Sequence, residues 1–322
     1  MDQIDKKMLV VLWANCRISF RKLGSILGLS GPSAKRRVDR LLESGTIYDF
    51  YVVLSEAMID MKRALVLVRT ASSISVEKIT TALARHQGIF RILSLLNGNF
   101  LVVSMYPEEE GYHKMESFIK SLNGVIDVKF FPIYRSENCV QKGRKVALTV
   151  IQKKVLSCLV TDARISSNEI ARRIGVSTRR VEDAIEQMQK NRNVIFSVRW
   201  KSNLERSISF MLRITYAGSE IDVMSFNDFI AKKFPSEFWY SYLPETESVI
   251  FSVFLVDSIS DAYRITELAK EMDFVESVET LISYSATTLD PPTRVELIKL
   301  LQQDGLLLDY PMRSTSEIDL IV

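Results

Sequence analysis

The chain contains much of itself twice. Arg17-Ile18-Ser19 returns as Arg164-Ile165-Ser166, 147 positions later. At the same offset Lys6-Lys7 meets Lys153-Lys154, Leu9 meets Leu156, and Leu27-Gly28-Leu29-Ser30 meets Ile174-Gly175-Val176-Ser177. No gap is needed from residue 5 to about residue 50. Solenoid and propeller units run to roughly 20–50 residues, so this repeat is a duplicated set of domains and not an array.

The start of the first copy reads as three helices. Ile4, Met8, Leu9 and Leu12 follow helical spacing, with Asp2 placed to cap them. Arg17-Ile18-Ser19 breaks that helix, and Ser19 can cap a second one carrying Leu23, Ile26 and Leu27. Gly28 ends it, because glycine takes the left-handed turn without a Cβ penalty. Ser30 caps a third helix with Pro32 in its first turn and Ala34, Val38, Leu41 and Leu42 on its buried face. Gly45 ends that helix, and the β-rich stretch Thr46–Leu54 suits a wing strand. The pattern predicts a winged helix-turn-helix over 1–54.

Residues 62–134 change character. A strand at 64–68, a helix at 76–86, strands at 89–96 and 100–105 joined by the Asn97-Gly98 turn, a helix at 108–122 and a strand at 125–133 give the order βαββαβ. That is the ferredoxin-like arrangement. A polar linker over 135–147 precedes a second helix-turn-helix at 148–201 and a second βαββαβ at 206–284. Residues 285–322, with a helix over 293–303, have no counterpart. The fold class expected is α+β, with two winged helix-turn-helix domains alternating with two ferredoxin-like domains.

Charge supports a polyanion partner only locally. The net charge is +3, but residues 1–47 hold nine basic against four acidic residues. Cys16, Cys139 and Cys158 are odd in number and far apart, which argues against a disulfide scaffold. Charges within the first seven positions argue against a signal peptide, and no apolar run approaches the length of a membrane helix. The expectation is a cytoplasmic protein without a membrane segment. No metal-ligand spacing, nucleophile–base pair or phosphate-binding glycine loop stands out, so no metal, cofactor or catalytic group is expected. His86 and His113 read as helix-surface histidines.

Asp5, Arg17, Ser19, Leu23, Leu27-Gly28-Leu29-Ser30, Arg37-Val38, Leu41, Gly45 and Ile47 together resemble the Lrp/AsnC family of feast/famine regulators. The second copy keeps Arg164, Ser166, Ile170, Ile174-Gly175-Val176-Ser177 and Val181. It has Gln152 for the aspartate and Arg192 for the glycine. The resemblance, over roughly residues 2–284, implies DNA-reading heads joined to ligand-sensing, oligomerising βαββαβ domains. It implies double-stranded DNA as partner and a homodimer formed through the βαββαβ domains. It also implies a small-molecule effector near the turn Asn97-Gly98-Asn99, although Leu101 stands where the family has an aspartate. A plain hairpin turn and oligomer interface is the preferred reading there.

In a helix-turn-helix the second helix enters the major groove by its N-terminal residues. Ser33 and Arg36 are therefore candidate base readers, since arginine grips guanine bidentately. Lys35, Arg40, Arg21 and Lys22 suit phosphate, and Ser30 and Arg37 complete the first set. The second set is Arg172, Arg173, Thr178, Arg179 and Arg180, with Glu182, Asp183 and Glu186 on the following turns opposing it. A solvated basic face is the alternative for the first head, and a scaffolding copy for the second. The function expected is a sequence-specific transcription regulator, not an enzyme. The alternatives are a sirohaem-decarboxylase-like enzyme of the same architecture, which the shortage of histidine disfavours, and an architectural DNA binder of low specificity.

Overall fold

A computed structural model describes residues 1–137, 144–200, 207–218 and 220–307. In chain order the first half holds α1 (Gln3–Ala14), α2 (Phe20–Leu27), α3 (Gly31–Glu43), β1 (Ile47–Leu54), β2 (Met61–Thr70), α4 (Val76–Ala84), β3 (Ile89–Leu95), β4 (Phe100–Pro107), α5 (His113–Lys120) and β5 (Val125–Glu137). The second half repeats it as α6 (Val150–Leu159), α7 (Ser167–Ile174), α8 (Thr178–Asn191), β6 (Val194–Trp200), β7 (Ile208–Tyr216), α9 (Glu220–Lys233), β8 (Phe238–Pro244), β9 (Val249–Val256), α10 (Ile259–Lys270) and β10 (Val275–Thr288). One further helix, α11 (Pro292–Gln303), ends the series. The protein is α+β, with two helix-turn-helix regions alternating with two βαββαβ regions. None of the described helices is long and apolar enough to cross a membrane.

The backbone divides into two compact units, which the duplication does not predict to be shared between the copies. The first unit comprises the described residues of Met1–Asp60, Val140–Lys201 and Thr293–Met312, so it contains both three-helix heads and α11. Head 1 (α1–α3) closes over Met8, Leu9, Leu12, Leu23, Ala34 and Val38, each at most 1% exposed. Head 2 (α6–α8) closes over the matching Val155, Leu156, Leu159, Ile170, Val181 and Ile185.

The two expected wing strands are present, and each is the partner of the other. β1 pairs antiparallel with β6 in a two-stranded sheet. Phe50 faces Val198, the counterpart of Tyr51, and Tyr51 faces Ser197, the counterpart of Phe50. The register is self-complementary, as it is across a two-fold axis. A lone strand at the end of a three-helix head has no ladder partner of its own, and its copy supplies one.

The second unit holds both βαββαβ halves. Each half has the strand order expected of it, β3-β4-β2-β5 and β8-β9-β7-β10, and the two sheets join at both ends into a closed eight-stranded barrel. One junction pairs β5 with β8 and the other β10 with β3. Ser136↔Tyr242 in the first corresponds, 147 positions on, to Ser283↔Leu95 in the second. The sheet edges expected to recruit a second chain are thus paired within this one, and the barrel leaves no edge open.

Helices α4 and α5 cover Val66, Val68, Ile92, Phe100 and Val102, and α9 and α10 cover Phe210, Leu212, Ile214, Ile250 and Phe254. Alternation along the strands sends Leu65, Val103, Phe131, Phe251 and Leu281, all buried, to the opposite, inner face. Phe131 and Phe251 meet there edge-to-face at 4.8 Å.

Two further expectations change. Residues 135–137, assigned to the linker, continue β5 in register with β8, and the linker's 138–143, with Cys139, lie outside the described residues. At the end of α8, Arg192 holds φ +52°, the left-handed conformation that Gly45 takes in head 1 at φ +68°. The helix therefore ends the same way without its glycine, at a cost of about 1 kcal/mol.

Candidate nucleic-acid interface

Local hydrogen bonds set the angle between the paired helices of each head. Ser19 Oγ accepts from the Lys22 amide and Ser30 Oγ from the Ser33 amide, both at 3.2 Å. Between them Gly28 takes φ +69°. Head 2 repeats this with Ser166, Ser177 and Gly175 at φ +69°. Ser30, proposed as a DNA contact, therefore spends its side-chain oxygen on the cap.

Arg37 also has a different task from the one the sequence suggested. Its guanidinium reaches Asp2 and Asp5 at 2.7 Å each, and Arg40 reaches Asp5 at 3.1 Å. The Asp5 side chain is 4% exposed, so Arg37 is the counter-ion of a nearly buried carboxylate on α1 and is turned away from the exposed face. Burial pushes the Asp2 carboxyl up, but its hydrogen bond to Arg37 and the charges of Arg37 and Arg40 carry it below the ordinary 3.8. Arg40, 60% exposed, still offers an edge to solvent.

Several cations remain on the outside of head 1, alongside the exposed Glu43. Arg21 and Lys22 on α2 and Arg36 on α3 are exposed and form no ion pair with a described residue. Lys35 is exposed beside Asp39 at 2.8 Å, an i,i+4 surface pair worth only about 0.3–0.5 kcal/mol and easily exchanged for phosphate. Ser33 lies half-buried at the start of the same helix.

Head 2 keeps the buried register and changes the charges. Ala34, Val38 and Leu41 correspond to the buried Val181, Ile185 and Met188, so the exposed positions also correspond. Lys35-Arg36 is replaced by Glu182-Asp183, and Arg21-Lys22 by Asn168-Glu169. Arg172 and Arg173, candidate DNA contacts, are both paired to Glu169, the latter at 2.9 Å. Thr178 donates its hydroxyl to Asn168 Oδ1 at 2.8 Å. Of the candidate contacts of head 2, Arg179 and Arg180, in the first turn of α8, stay exposed and without an ion pair among the described residues.

The buried salt bridge of head 1 disappears as a set. Asp2, Asp5, Arg37 and Arg40 correspond to Thr149, Gln152, Ala184 and Gln187. Thr149 and Gln152 rebuild the capping box without charge, Gln152 accepting from the Thr149 amide at 2.9 Å. Once the carboxylate is gone, its arginine has no role, and alanine fills the site.

The repeated Arg-Ile-Ser motif, read in the sequence only as a break between helices, is a clasp between the heads. Arg17 donates to the carbonyls of Ala163 and Ile165 at 2.7 and 3.1 Å. Arg164 donates to those of Cys16 and Ile18, the corresponding residues of head 1. Arg164 also lies over the rings of Phe20 at 4.3 Å and Phe50 at 5.3 Å. Each arginine satisfies the turn that precedes the other head's α2 or α7. The signal was visible, since both copies kept the arginine, but its partner lies in the other copy.

The last helix breaks this symmetry. In head 1 the carbonyl of Trp13 accepts from Ser197 Oγ at 2.8 Å, and Trp13 packs on Trp200 with ring centroids 6.2 Å apart. The counterparts of Trp13, Trp200 and Ser197 are Val160, Val53 and Phe50. The valines leave room and Phe50 has no hydroxyl. Arg294 of α11, 3% exposed, supplies the donor instead, reaching Val160 O at 3.0 Å and Val52 O at 3.3 Å. Leu297, Ile298 and Leu301 of α11 are buried, and Asp304 pairs with Lys153 at 2.8 Å.

In the second unit the proposed effector turn is occupied with itself. Asn97 Oδ1 accepts from the Asn99 amide at 3.1 Å, Gly98 holds φ +78°, and Thr70 donates to Gly98 O at 2.8 Å. His86 accepts from the Gly88 amide at 3.1 Å and is shifted down by burial, while His113 sits exposed at the start of α5. Among the described residues no group of three or more His, Cys, Asp and Glu could hold a metal.

Comparison with known proteins bears on both units. Residues 1–42 match the AsnC-type helix-turn-helix domain, and residues 148–191 match a winged helix-turn-helix DNA-binding family. An uncharacterized HTH-type transcriptional regulator of Pyrococcus furiosus is 24% identical over 133 residues, 40% of this chain and 89% of the relative. The chain therefore carries two helix-turn-helix domains, the first matching the AsnC type. An HTH-type transcriptional regulator of Mycobacterium tuberculosis is 43% identical over 54 residues, 17% of this chain and 36% of the relative. The crystal structure of the siroheme decarboxylase NirDL matches 94% of the tandem chain and all of its own length, with a TM-score of 0.56 and 13% identity. That likeness establishes a shared fold, two heads and two βαββαβ halves in one polypeptide.

Proposed function

We propose that this protein is a sequence-specific DNA-binding transcription regulator in which one chain supplies both heads of a DNA-reading pair. The observation that carries the reading is the outer surface of head 1. Arg21, Lys22 and Arg36 are exposed without a counter-ion among the described residues, on two helices whose angle is fixed by serine caps and a left-handed glycine. Arg36 would read base edges, with Ser33 beside it, and Arg21, Lys22 and Lys35 would hold phosphate.

Fluorescence anisotropy on a genomic site found by footprinting, against random duplex at several stated salt concentrations, tests this. A regulator favours its site by about 10³-fold or more. An architectural binder shows equal affinity and the same salt slope on both. Arg36→Ala reduces the preference between sequences, whereas Lys35→Ala weakens both duplexes alike and flattens the slope by about 1.

The fold shared with a siroheme decarboxylase over 94% of the chain favours a second reading, tetrapyrrole chemistry in the βαββαβ barrel. An absorbance titration with sirohaem separates the two. Binding followed by conversion of the chromophore would replace the regulator reading. Light scattering at micromolar concentration tests assembly: with every barrel edge paired in the chain, a monomer is the expected DNA-binding species.

A further inference from the structure

The two heads share one register and one set of caps, yet they differ in charge where a recognition helix meets a duplex. Across the three exposed positions of the second and third turns, Lys35, Arg36 and Asp39 in α3 correspond to Glu182, Asp183 and Glu186 in α8. In the first turn the order reverses, Pro32 and Ser33 corresponding to Arg179 and Arg180. On the preceding helix Lys22 corresponds to Glu169, which also neutralises Arg172 and Arg173. Drift in an idle copy would scatter such changes. Here cations are removed from one turn and placed in the turn before it, while the core and the caps stay intact.

We propose that head 2 reads a half-site different from that of head 1. Arg179 and Arg180 take the duplex contact, and Glu182 and Asp183 determine its specificity by refusing the half-site that Lys35 and Arg36 accept. This rests on the DNA-binding reading of head 1. A carboxylate cannot approach phosphate, and at base edges it accepts only from an exocyclic amine, that of cytosine N4 or adenine N6. Residues 179 and 183 lie about 6 Å apart along a helix axis, close to two base-pair steps. The half-site of head 2 therefore carries guanine opposite the arginines and, about two steps away, cytosine or adenine opposite the carboxylates. The clasp of Arg17 and Arg164 and the β1–β6 ladder hold the heads in one unit, so the two unlike half-sites occur in one fixed relation. The preferred site is not a palindrome, and most of its affinity comes from head 1, which alone keeps phosphate-holding cations on both helices.

The test is selection of binding sequences from a random duplex pool by the full chain, with affinities measured against salt. Wild type is expected to enrich a site with two unlike halves. The E182K/D183R variant places head 1's charges in head 2 at outward-facing positions. It is expected to change only the head 2 half toward the sequence of the head 1 half and to steepen the salt slope by about 1–2. R179A/R180A is expected to lose enrichment in the head 2 half alone, and K35E/R36D to lose the other half with at least tenfold weaker binding. Far-ultraviolet circular dichroism shows that each variant keeps its helices. Enrichment of a perfect inverted repeat by wild type overturns the proposal, as does an unchanged sequence and slope in E182K/D183R. Failure of wild type to enrich any sequence would instead defeat the DNA-binding reading on which the proposal stands.

Discussion

The exchange of the Asp5–Arg37 pair for Gln152 and Ala184 makes a double-mutant cycle whose answer the second copy already suggests. Arg37→Ala strands a carboxylate whose side chain is 4% exposed. Removing one partner from a buried ion pair costs about 3–5 kcal/mol. Arg40 remains 3.1 Å away but is 60% exposed and screened, so we expect a net cost of about 2–3 kcal/mol in head 1. Asp5→Gln alone leaves Arg37 with the exposed Asp2 and costs about 1–2 kcal/mol. Asp5→Gln with Arg37→Ala copies the neutral arrangement of head 2, where Gln152 is 3% exposed and hydrogen bonded. It is expected to cost no more than about 1 kcal/mol, giving a coupling of about 2–4 kcal/mol. Amide hydrogen exchange on the full chain, read on peptides from α1 and α3, measures these as local opening energies. The reasoning fails if the two single losses simply add to within about 0.5 kcal/mol.

Acid should loosen head 1 before head 2. The folded Asp2 carboxyl titrates below 3.8, so its contribution is complete above that pH and is lost as pH falls through the folded value. Thr149 in head 2 has nothing to titrate, and exchange in α1 and α3 should accelerate there while α6 and α8 stay protected; equal acceleration in both heads would contradict this. Arg192→Gly relieves a left-handed arginine and should raise the stability of head 2 by about 1 kcal/mol, seen as slower exchange at the end of α8. Burial pushes the Cys16 thiol up to about 12. Iodoacetamide at mildly alkaline pH should therefore leave it unmodified in the native protein and label it on denaturation, and native labelling would show that the clasp beside it opens. Replacing Arg294 by Met leaves the carbonyls of Val160 and Val52 without this donor, a loss of about 1–3 kcal/mol expected to appear as rapid exchange throughout α11.

Elements and local geometry were legible from short-range signals. Ser19 and Ser30 as caps, Gly28 as a left-handed terminus and the Asn97-Gly98 hairpin act within a few residues of themselves, where propensity and periodicity report faithfully. The candidate interface was legible as a list but not as a sorting. Nothing local distinguishes Arg36, which faces out, from Arg37, which turns back to Asp5, because the partner lies 32 positions away. Arg172 and Arg173 read as a basic pair until Glu169 is seen paired to both.

The duplication follows from the sequence by itself as a match at one offset of 147 positions, and the heads and βαββαβ halves follow from patterns repeated every two, three or four residues. The tertiary structure decided how the copies meet. β1 finds its partner in β6, the barrel closes on its own second half, and Arg17 and Arg164 clasp each other's turns across nearly 150 residues. Unpaired strand edges and turn carbonyls must be satisfied by something, and the sequence states that need without naming the partner. Here the partner is the other copy. The one exception, α11, fits where Val53 and Val160 replaced two tryptophans, a space that appears only when both copies are in place.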